Sequence, residues 1–189
     1  MRRVLSLSVL CTLLMAGVAN STTVIAPTFE SLVSSATTIF VGEAVNVRSE
    51  WIATRDGRAI VTRVTFKVED VWKGAAGAMT ELEFLGGTIG ETTMEVVGMP
   101  QFHEGQRSIL FVSDDVKAVS PLVGFYHGRM RVEKDAYGVD RVRTYDGRSL
   151  ANPAAVGANK TNYMLSVTPM RLDDLETAVR GRVSAGRIR

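Results

Sequence analysis

Apolar and polar side chains alternate most clearly between residues 59 and 74. Ile60 and Phe66 share one side of an extended chain there, whereas Arg63 and Lys67 share the other. A period of two is typical of a β-strand with one buried face, and the β-branched and aromatic residues of this stretch also favour strand. We therefore expect this strand to be the central element on which neighbouring strands pair.

Six further stretches have strand patterns, and most are separated by glycine-containing turns. They span residues 38–48, 79–85, 92–97, 108–112, 121–133 and 139–145. The first of these is expected to pair antiparallel with the central strand, through a connection longer than two residues that contains a turn signal at Asp56-Gly57. Glycines predict a bend or bulge at Gly42 and a bend at Gly124 or Gly128. The glycine-rich stretch 86–90 lacks the Lys-Ser/Thr of a phosphate-binding loop and is predicted to be an ordinary loop.

Two helices flank the strands. Thr28 has the position of an N-cap before a short helix that ends near Ser35. Pro169 is predicted as the first residue of a C-terminal helix over 168–184, whose apolar residues recur at helical spacing. Small and polar residues over 149–167 predict a linker across the surface.

The order of these elements and three motifs resemble the netrin-like module, the OB-type barrel of tissue inhibitors of metalloproteinases and of complement C-terminal domains. The motifs are Ile39-Phe-Val-Gly-Glu-Ala-Val45, Phe66-Lys-Val-Glu-Asp-Val-Trp-Lys-Gly74 and Phe102-x-x-Gly105-x-x-x-Ile109-Leu-Phe-Val112. The likeness covers roughly residues 28–113, and the chain is also similar to secreted bacterial proteins with no assigned activity. It implies a mainly β fold, with an OB-like antiparallel β-barrel in a domain over 28–148 and one short helix on either side.

The resemblance does not extend to protease inhibition. In the metalloproteinase inhibitors an N-terminal cysteine chelates the zinc of the target protease, and disulfides hold that terminus in place. The only cysteine here is Cys11, which lies within the leader described next. No inhibitory residue is carried over, and what the resemblance implies is a barrel with a binding function outside the cytoplasm.

Residues 1–19 have the pattern of a secretory signal peptide. Arg2 and Arg3 precede an apolar run, and cleavage is expected near Ala19/Asn20. The run is shorter than the roughly 20 residues that span a bilayer, so a retained anchor is the weaker alternative. We expect a secreted or periplasmic protein, without stable membrane insertion after cleavage, whose mature chain has no thiol for disulfides or thiolate metal sites.

The net charge and the histidine content limit which catalytic and metal-binding sites the chain could contain. Loss of Arg2 and Arg3 lowers the number of Lys and Arg from 22 to 20, equal to the 20 Asp and Glu. The two histidines, His103 and His127, lack the spacing of a helical zinc motif. A catalytic set drawn from Ser108, His127 and Asp114 has no nucleophile-elbow motif around the serine. We expect no catalytic residue, no metal and no cofactor; a secreted hydrolase that uses His103 or His127 is the alternative.

Arginine and aromatic residues concentrate between residues 124 and 148. The residues predicted to contact a partner are Phe125, Tyr126, His127, Arg129 and Arg131. OB barrels bind single-stranded nucleic acid through similar surfaces, but secretion and zero net charge argue against that ligand. The composition also suits protein recognition. The sequence thus predicts a non-enzymatic binding or accessory module for another secreted or periplasmic protein, with proteases among the candidates. A structural protein of the cell envelope is a third hypothesis.

Overall fold

The computed structural model describes residues 26–55, 57–114, 120–157 and 167–186. The predicted signal peptide, its cleavage site, Cys11 and residues 158–166 of the predicted linker lie outside these ranges. In chain order the elements are α1 (Phe29–Ser35), β1 (Thr38–Thr54), β2 (Gly57–Lys73), β3 (Met79–Leu85), β4 (Gly87–Ile89), β5 (Thr92–Met94), β6 (Arg107–Val112), β7 (Arg129–Lys134), β8 (Asp140–Thr144) and α2 (Leu172–Gly186). Short 3₁₀ helices span Phe125–Gly128 and Pro153–Ala155.

Six of the strands form one antiparallel sheet in the order β3-β2-β1-β6-β7-β8, and β4 and β5 form a separate small hairpin. Strand residues make up 46% of the residues that the structure describes, which confirms the prediction of a mainly β fold. The sheet ends in two edge strands, β3 and β8. Within the described residues it does not close into the predicted barrel.

The long hairpin β1–β2 forms the middle of the sheet. Its register extends from Ile39 opposite Lys73 to Thr54 opposite Gly57. Near the turn of the hairpin, both strands are longer than predicted, so only two residues connect β1 to β2. The prediction of a connection longer than two residues is therefore wrong. The predicted bulge is confirmed, because the register shifts between Val41 and Gly42. From Val64 to Glu69 in β2, the more buried side chains alternate with the more exposed ones, as the sequence pattern indicated. Ala59, Ile60 and Val61 are buried in succession, so the predicted exposure of Val61 on the polar face is wrong.

Alternate residues of the central strands enter two separate cores. The first, here called the helix-side core, contains Leu32, Val33, Ile39, Val41, Ile109, Phe111, Met130, Val142, Leu175 and Val179, among others. The second, here called the phenylalanine core, contains Phe40, Phe66, Phe84, Phe102, Leu110 and Leu122, among others. Because neighbouring residues of a strand point to opposite faces, β1 and β6 are buried on both sides.

The two helices cover the helix-side core. Thr28 Oγ1 accepts a hydrogen bond from Ser31 N, as its predicted N-cap role requires. Lys73 Nζ, at the end of β2, donates to the carbonyl oxygens of Val33 and Ser34 in the last turn of α1. A cation at this end is favourable because the last carbonyls of a helix carry partial negative charge. No helix in the described ranges is long and apolar enough to cross a membrane.

Three local predictions are wrong. Residues 121–133 are not one strand, because the chain forms the 3₁₀ helix Phe125–Gly128 before β7 begins. The stretch 86–90 is not simply a loop, since β4 lies within it and pairs with β5. Helix α2 begins at Leu172 rather than at Pro169, because Met170 N and O bond to Leu150 O and Val142 N and hold the preceding segment extended along the sheet.

Replacement of Leu175 tests the docking of α2. Leu175 has no exposed surface, so Leu175→Ala removes buried apolar contacts and leaves a cavity. We expect the free energy of unfolding, measured by urea denaturation, to fall by about 3 kcal/mol. Thr177→Ala, at an exposed position of the same helix, is the matched control and should change it by about 0.5 kcal/mol or less. Equal effects of the two substitutions would show that α2 does not pack on the sheet as described.

Candidate functional site

A left-handed turn carries three of the predicted binding residues. Gly124 and Phe125 have φ values of 63° and 58°. Left-handed backbone is unusual for a bulky residue and typically costs about 1–3 kcal/mol, and such residues are frequent at functional sites. The turn is anchored to the sheet at Val123, whose N–H donates to Phe111 O. It therefore presents Phe125, Tyr126 and His127 in a fixed direction beside β6.

The rings of Tyr126, His127 and Tyr145 form a compact group, here called the aromatic cluster. Tyr126 lies 4.1 Å from Tyr145 and 4.4 Å from His127, measured between ring centroids. Tyr126 N donates to Gly98 O, and a Cβ atom on Gly98 would lie 3.3 Å from the Tyr126 ring. All three rings are partly exposed, as is Phe125. The cluster therefore offers an ordered aromatic surface whose backing depends on the small size of Gly98.

His127 and Tyr145 are uncharged at neutral pH. Burial lowers the pKa of His127, Asp146 opposes this shift, and the positive charge of Arg148 adds to it. Burial raises the pKa of Tyr145 to about 12, with further contributions from Tyr126 and Asp146. Neutral imidazole and phenol rings combine an apolar body with polar atoms at the rim, a composition suited to contacts with a protein surface.

Arg129 is buried, with 4% of its surface exposed, and is not part of the surface predicted from the sequence. Its guanidinium donates to Ser108 Oγ, Gln101 O and Gln106 Oε1. It also lies 4.2 Å from the ring centroid of Phe102. Burial lowers its pKa to about 10, and the nearby charge of Arg131 contributes. Arg129 is thus protonated at neutral pH and ties the 101–106 segment to β7.

Arg131 lies on the same face of β7 as Arg129, opposite Ser108 on β6 and Arg143 on β8. Its side chain is partly buried, and its Nε has no hydrogen-bond partner among the described residues. By contrast, Arg143 pairs with Glu133 and Arg148 with Asp146. In the described ranges neither Arg129 nor Arg131 has an ion pair with a carboxylate, so this face has two positive charges that acidic side chains do not balance.

A groove adjoins the aromatic cluster. Its volume is about 610 Å³, and its walls are the 84–88 and 93–103 segments together with Val47, Ser49 and Thr62 of the central hairpin. Gly98 belongs both to this wall and to the backing of Tyr126. Val97 is 93% exposed at its rim. Sequence reasoning missed the groove because its walls come from a short hairpin and an irregular segment, and only the Gly98-Met99-Pro100 break marks the place.

The residues considered for catalysis do not assemble. His103 lines the groove, whereas His127 lies in the aromatic cluster. Ser108 is fully buried and accepts a hydrogen bond from Arg129 rather than from a histidine. Asp114 is exposed. The described residues contain no group of three or more His, Cys, Asp or Glu side chains that could hold a metal ion.

Three of the arginines between residues 124 and 148, the stretch compared with nucleic-acid-binding surfaces, have carboxylate partners. Arg141 bonds to Asp135, and Arg143 and Arg148 have the carboxylate partners given above. Tyr137 is 91% exposed at the β7–β8 turn and is absent from the ring contacts of the aromatic cluster. With Arg129 buried, Arg131 is the one remaining arginine of this stretch without a carboxylate partner among the described residues, which is too little positive charge to follow a phosphate backbone.

Replacement of Arg129 tests its structural role. Arg129→Ala removes three hydrogen bonds from a charged donor and leaves buried acceptors without partners. We expect the free energy of unfolding to fall by about 3 kcal/mol in urea denaturation. Arg48→Ala, which removes an exposed arginine paired with Glu81, should lower it by less than about 1 kcal/mol. A loss for Arg129→Ala no larger than that of the control would be evidence against the buried network.

The protonation of His127 predicts a pH dependence of stability. Because its pKa is lower in the folded state than the ordinary 6.5, the unfolded state binds the proton more readily. The contribution of His127 is therefore complete above pH 6.5 and is lost as the pH falls from there towards the folded-state pKa.

We expect His127→Gln to remove part of the stability loss between pH 7.5 and 5.5, as measured by thermal or urea unfolding across that range. His103→Gln, at an exposed position outside the cluster, is the matched histidine control. A pH profile of His127→Gln identical to that of the wild type would contradict the shifted pKa.

Comparison with known proteins adds no family to this picture. No protein-family model matches the chain. Neither the curated proteins nor the solved structures contain a match. The function must therefore be argued from the residues of the site.

Proposed function

We propose that this chain is a non-enzymatic binding module that recognises another protein outside the cytoplasm. The observation that carries the proposal is the aromatic cluster, with Phe125 beside it, held partly exposed by a left-handed turn. Aromatic side chains supply large contact areas with little loss of conformational entropy, and they are common among the residues that dominate binding energy. A strained turn that orders such rings reduces the entropy lost on binding.

The charges beside the cluster define the partner more closely. Arg131 lies at the same face without a carboxylate partner among the described residues, next to the buried charge of Arg129. An external acceptor stabilises a partly buried guanidinium whose Nε has no hydrogen-bond partner in the described part of the chain. The partner surface therefore has a carboxylate facing Arg131 and an apolar patch facing the rings. Proteases remain one class of candidate, although the netrin-like resemblance carries over no inhibitory residue.

The proposed location and fold depend on the sequence. The leader pattern of residues 1–19 supports export to the periplasm or the medium. The bulged β1, shared between β2 and β6, supports a relation to the OB-type netrin-like barrel, although the described sheet is open. A hydrolase is the less favoured function, because neither histidine is joined to a serine or an acid in a catalytic arrangement in the described ranges.

Retention of a partner by variants of the aromatic cluster tests the proposal. The chain from residue 20 onward is immobilised and exposed to native extracytoplasmic extract, and the retained protein is identified and its affinity measured. We expect Tyr126→Ala to weaken binding about tenfold or more, the effect of losing roughly 1.4 kcal/mol at a central aromatic contact. Circular dichroism and urea unfolding of each variant separate lost binding from lost fold.

Tyr137→Ala is the matched control, since it truncates a tyrosine that is almost fully exposed away from the cluster. It should bind as the wild type does. Arg131→Gln should also weaken binding, with a smaller salt dependence than the wild type. Equal affinities of the wild type and of folded Tyr126→Ala would reject the aromatic cluster as the binding site.

A further inference from the structure

The two edges of the main sheet differ in how their outer main-chain groups are satisfied. On β8, Thr144 N donates to Arg148 O, Leu150 N donates to Val142 O, and Val142 N donates to Met170 O. These bonds cover the outer side of β8. Strand β3 pairs only with β2, and no described residue forms a main-chain hydrogen bond with its outer side.

The outward-facing groups of β3 follow from its register. Gly86 N donates to Ile60 O, and Val68 N donates to Ala78 O, so the even-numbered residues of this strand bond to β2. In an antiparallel ladder the intervening residues direct their N–H and C=O groups to the other side. The main-chain groups of Met79, Glu81, Glu83 and Leu85 therefore face outward, as a template for another strand.

The side chains of β3 do not block this edge. Arg63 pairs with both Glu81 and Glu83, and Arg48 also pairs with Glu81. These contacts hold the two glutamates over the face of the sheet, on top of β2 and β1. Met79, at the start of the strand, is 57% exposed. On the opposite face Phe84 is buried in the phenylalanine core.

The charge around the edge is negative. Arg63 also pairs with Glu50, so three glutamates share two arginines, and these five side chains have a net charge of −1. Lys67, opposite Met79, also lies opposite Glu43 of β1, so this further pair leaves the sum unchanged. The main-chain edge, the exposed methionine and this acidic patch are adjacent. An added strand with Lys or Arg at the positions next to Glu81 and Glu83 would make favourable cross-strand pairs.

The same glutamates disfavour a second copy of this chain. Two copies of β3 could pair antiparallel, with their outward-facing residues opposite one another. If such a pair is centred on residue 81, 82 or 83, a glutamate of one copy lies directly opposite a glutamate of the other. Like charges directly opposite one another are destabilising. The acidic positions thus act against self-pairing, which is a common way in which edge strands avoid aggregation.

We propose that β3 is a docking edge for an extended segment of a partner protein that has basic side chains at alternate positions. The segment extends the sheet by a seventh strand, with main-chain hydrogen bonds to residues 79–85 and its basic side chains against Glu81 and Glu83. This surface is separate from the aromatic cluster, and the proposal does not depend on the function argued above.

Labelled peptides test the edge directly. The probe is a seven-residue peptide of alternating valine and lysine with both ends blocked, and its counterpart has glutamate in place of lysine. Fluorescence anisotropy with the purified protein should show the lysine peptide binding at least about tenfold more tightly at low salt, with the difference decreasing as salt rises. N-methylation of the peptide amides that face β3 should abolish binding, since it removes the main-chain donors.

The double variant Glu81→Lys/Glu83→Lys should reverse the preference towards the glutamate peptide. If that variant does not fold, as circular dichroism would show, the N-methylated peptides decide the question with the wild-type protein. Equal binding of the two peptides, or undiminished binding after N-methylation, would overturn the proposal. A concentration-dependent dimer in sedimentation that the lysine peptide dissociates would overturn it too, because the occupant would then be a second copy.

Discussion

The structure depends on the burial of β1 and β6 on both faces. Each of these strands sends alternate side chains into different cores, with Phe40 and Leu110 on one side and Ile39 and Phe111 on the other. Apolar side chains on two faces require two covering layers. The helices provide one layer. The other comes from the far half of the β1–β2 hairpin, from β3 and from the irregular segment that carries Phe102.

The second layer connects the fold to the site. Phe102 contacts the rings of Phe66 and Phe84 at centroid distances of 5.3 and 5.0 Å, so core packing fixes the irregular 95–106 segment. Main-chain hydrogen bonds of Gly105 and Gln106 to Ala44 of β1 hold its end. Arg129 strengthens this attachment through its bonds to Gln101 and Gln106. The position of Gly98, and with it the backing of Tyr126, follows from these anchors. The aromatic surface is therefore attached to the core through Gly98 and the segment that carries it.

The sequence predicted the regular elements well where one physical signal dominated. Alternation located β2, and an unbroken apolar run located β6. The capping pattern at Thr28 located α1. The failures occur where two signals compete. Over 121–133 the prediction of a strand followed the strand-forming residues, although two glycines in that stretch permit the 3₁₀ turn. Pro169 fits the first position of a helix, but main-chain hydrogen bonds of its neighbour Met170 to the sheet hold the chain extended there.

The site was harder to predict than the fold for a related reason. Local sequence identifies aromatic and basic residues but does not show which of them a neighbouring segment covers. Phe125, Tyr126 and His127 lie close together because they are consecutive in the sequence. The burial of Arg129, by contrast, depends on a loop that is more than twenty residues away along the chain. Tyr145 reaches the cluster only through the pairing of β8 with β7. These contacts are long-range in sequence, and composition alone does not reveal them.

The net charge of the chain does not indicate how the charged side chains are distributed over its surface. Without its first arginines the chain is formally neutral, yet the unbalanced charges lie apart. The acidic excess is on β1–β3, where three glutamates share two arginines, and the basic excess is on β7, where Arg129 and Arg131 have no acidic partner among the described residues.

The charged groups on these two surfaces differ in the strength of their electrostatic interactions. The β3 pairs are exposed to solvent and screened by salt, whereas the arginines of β7 are partly or fully buried. An unpaired guanidinium in that setting gains more from an external carboxylate than any exposed pair does. The β7 surface therefore has the stronger electrostatic basis for tight binding, and the β3 edge relies mainly on its main-chain groups, with charge selecting the partner.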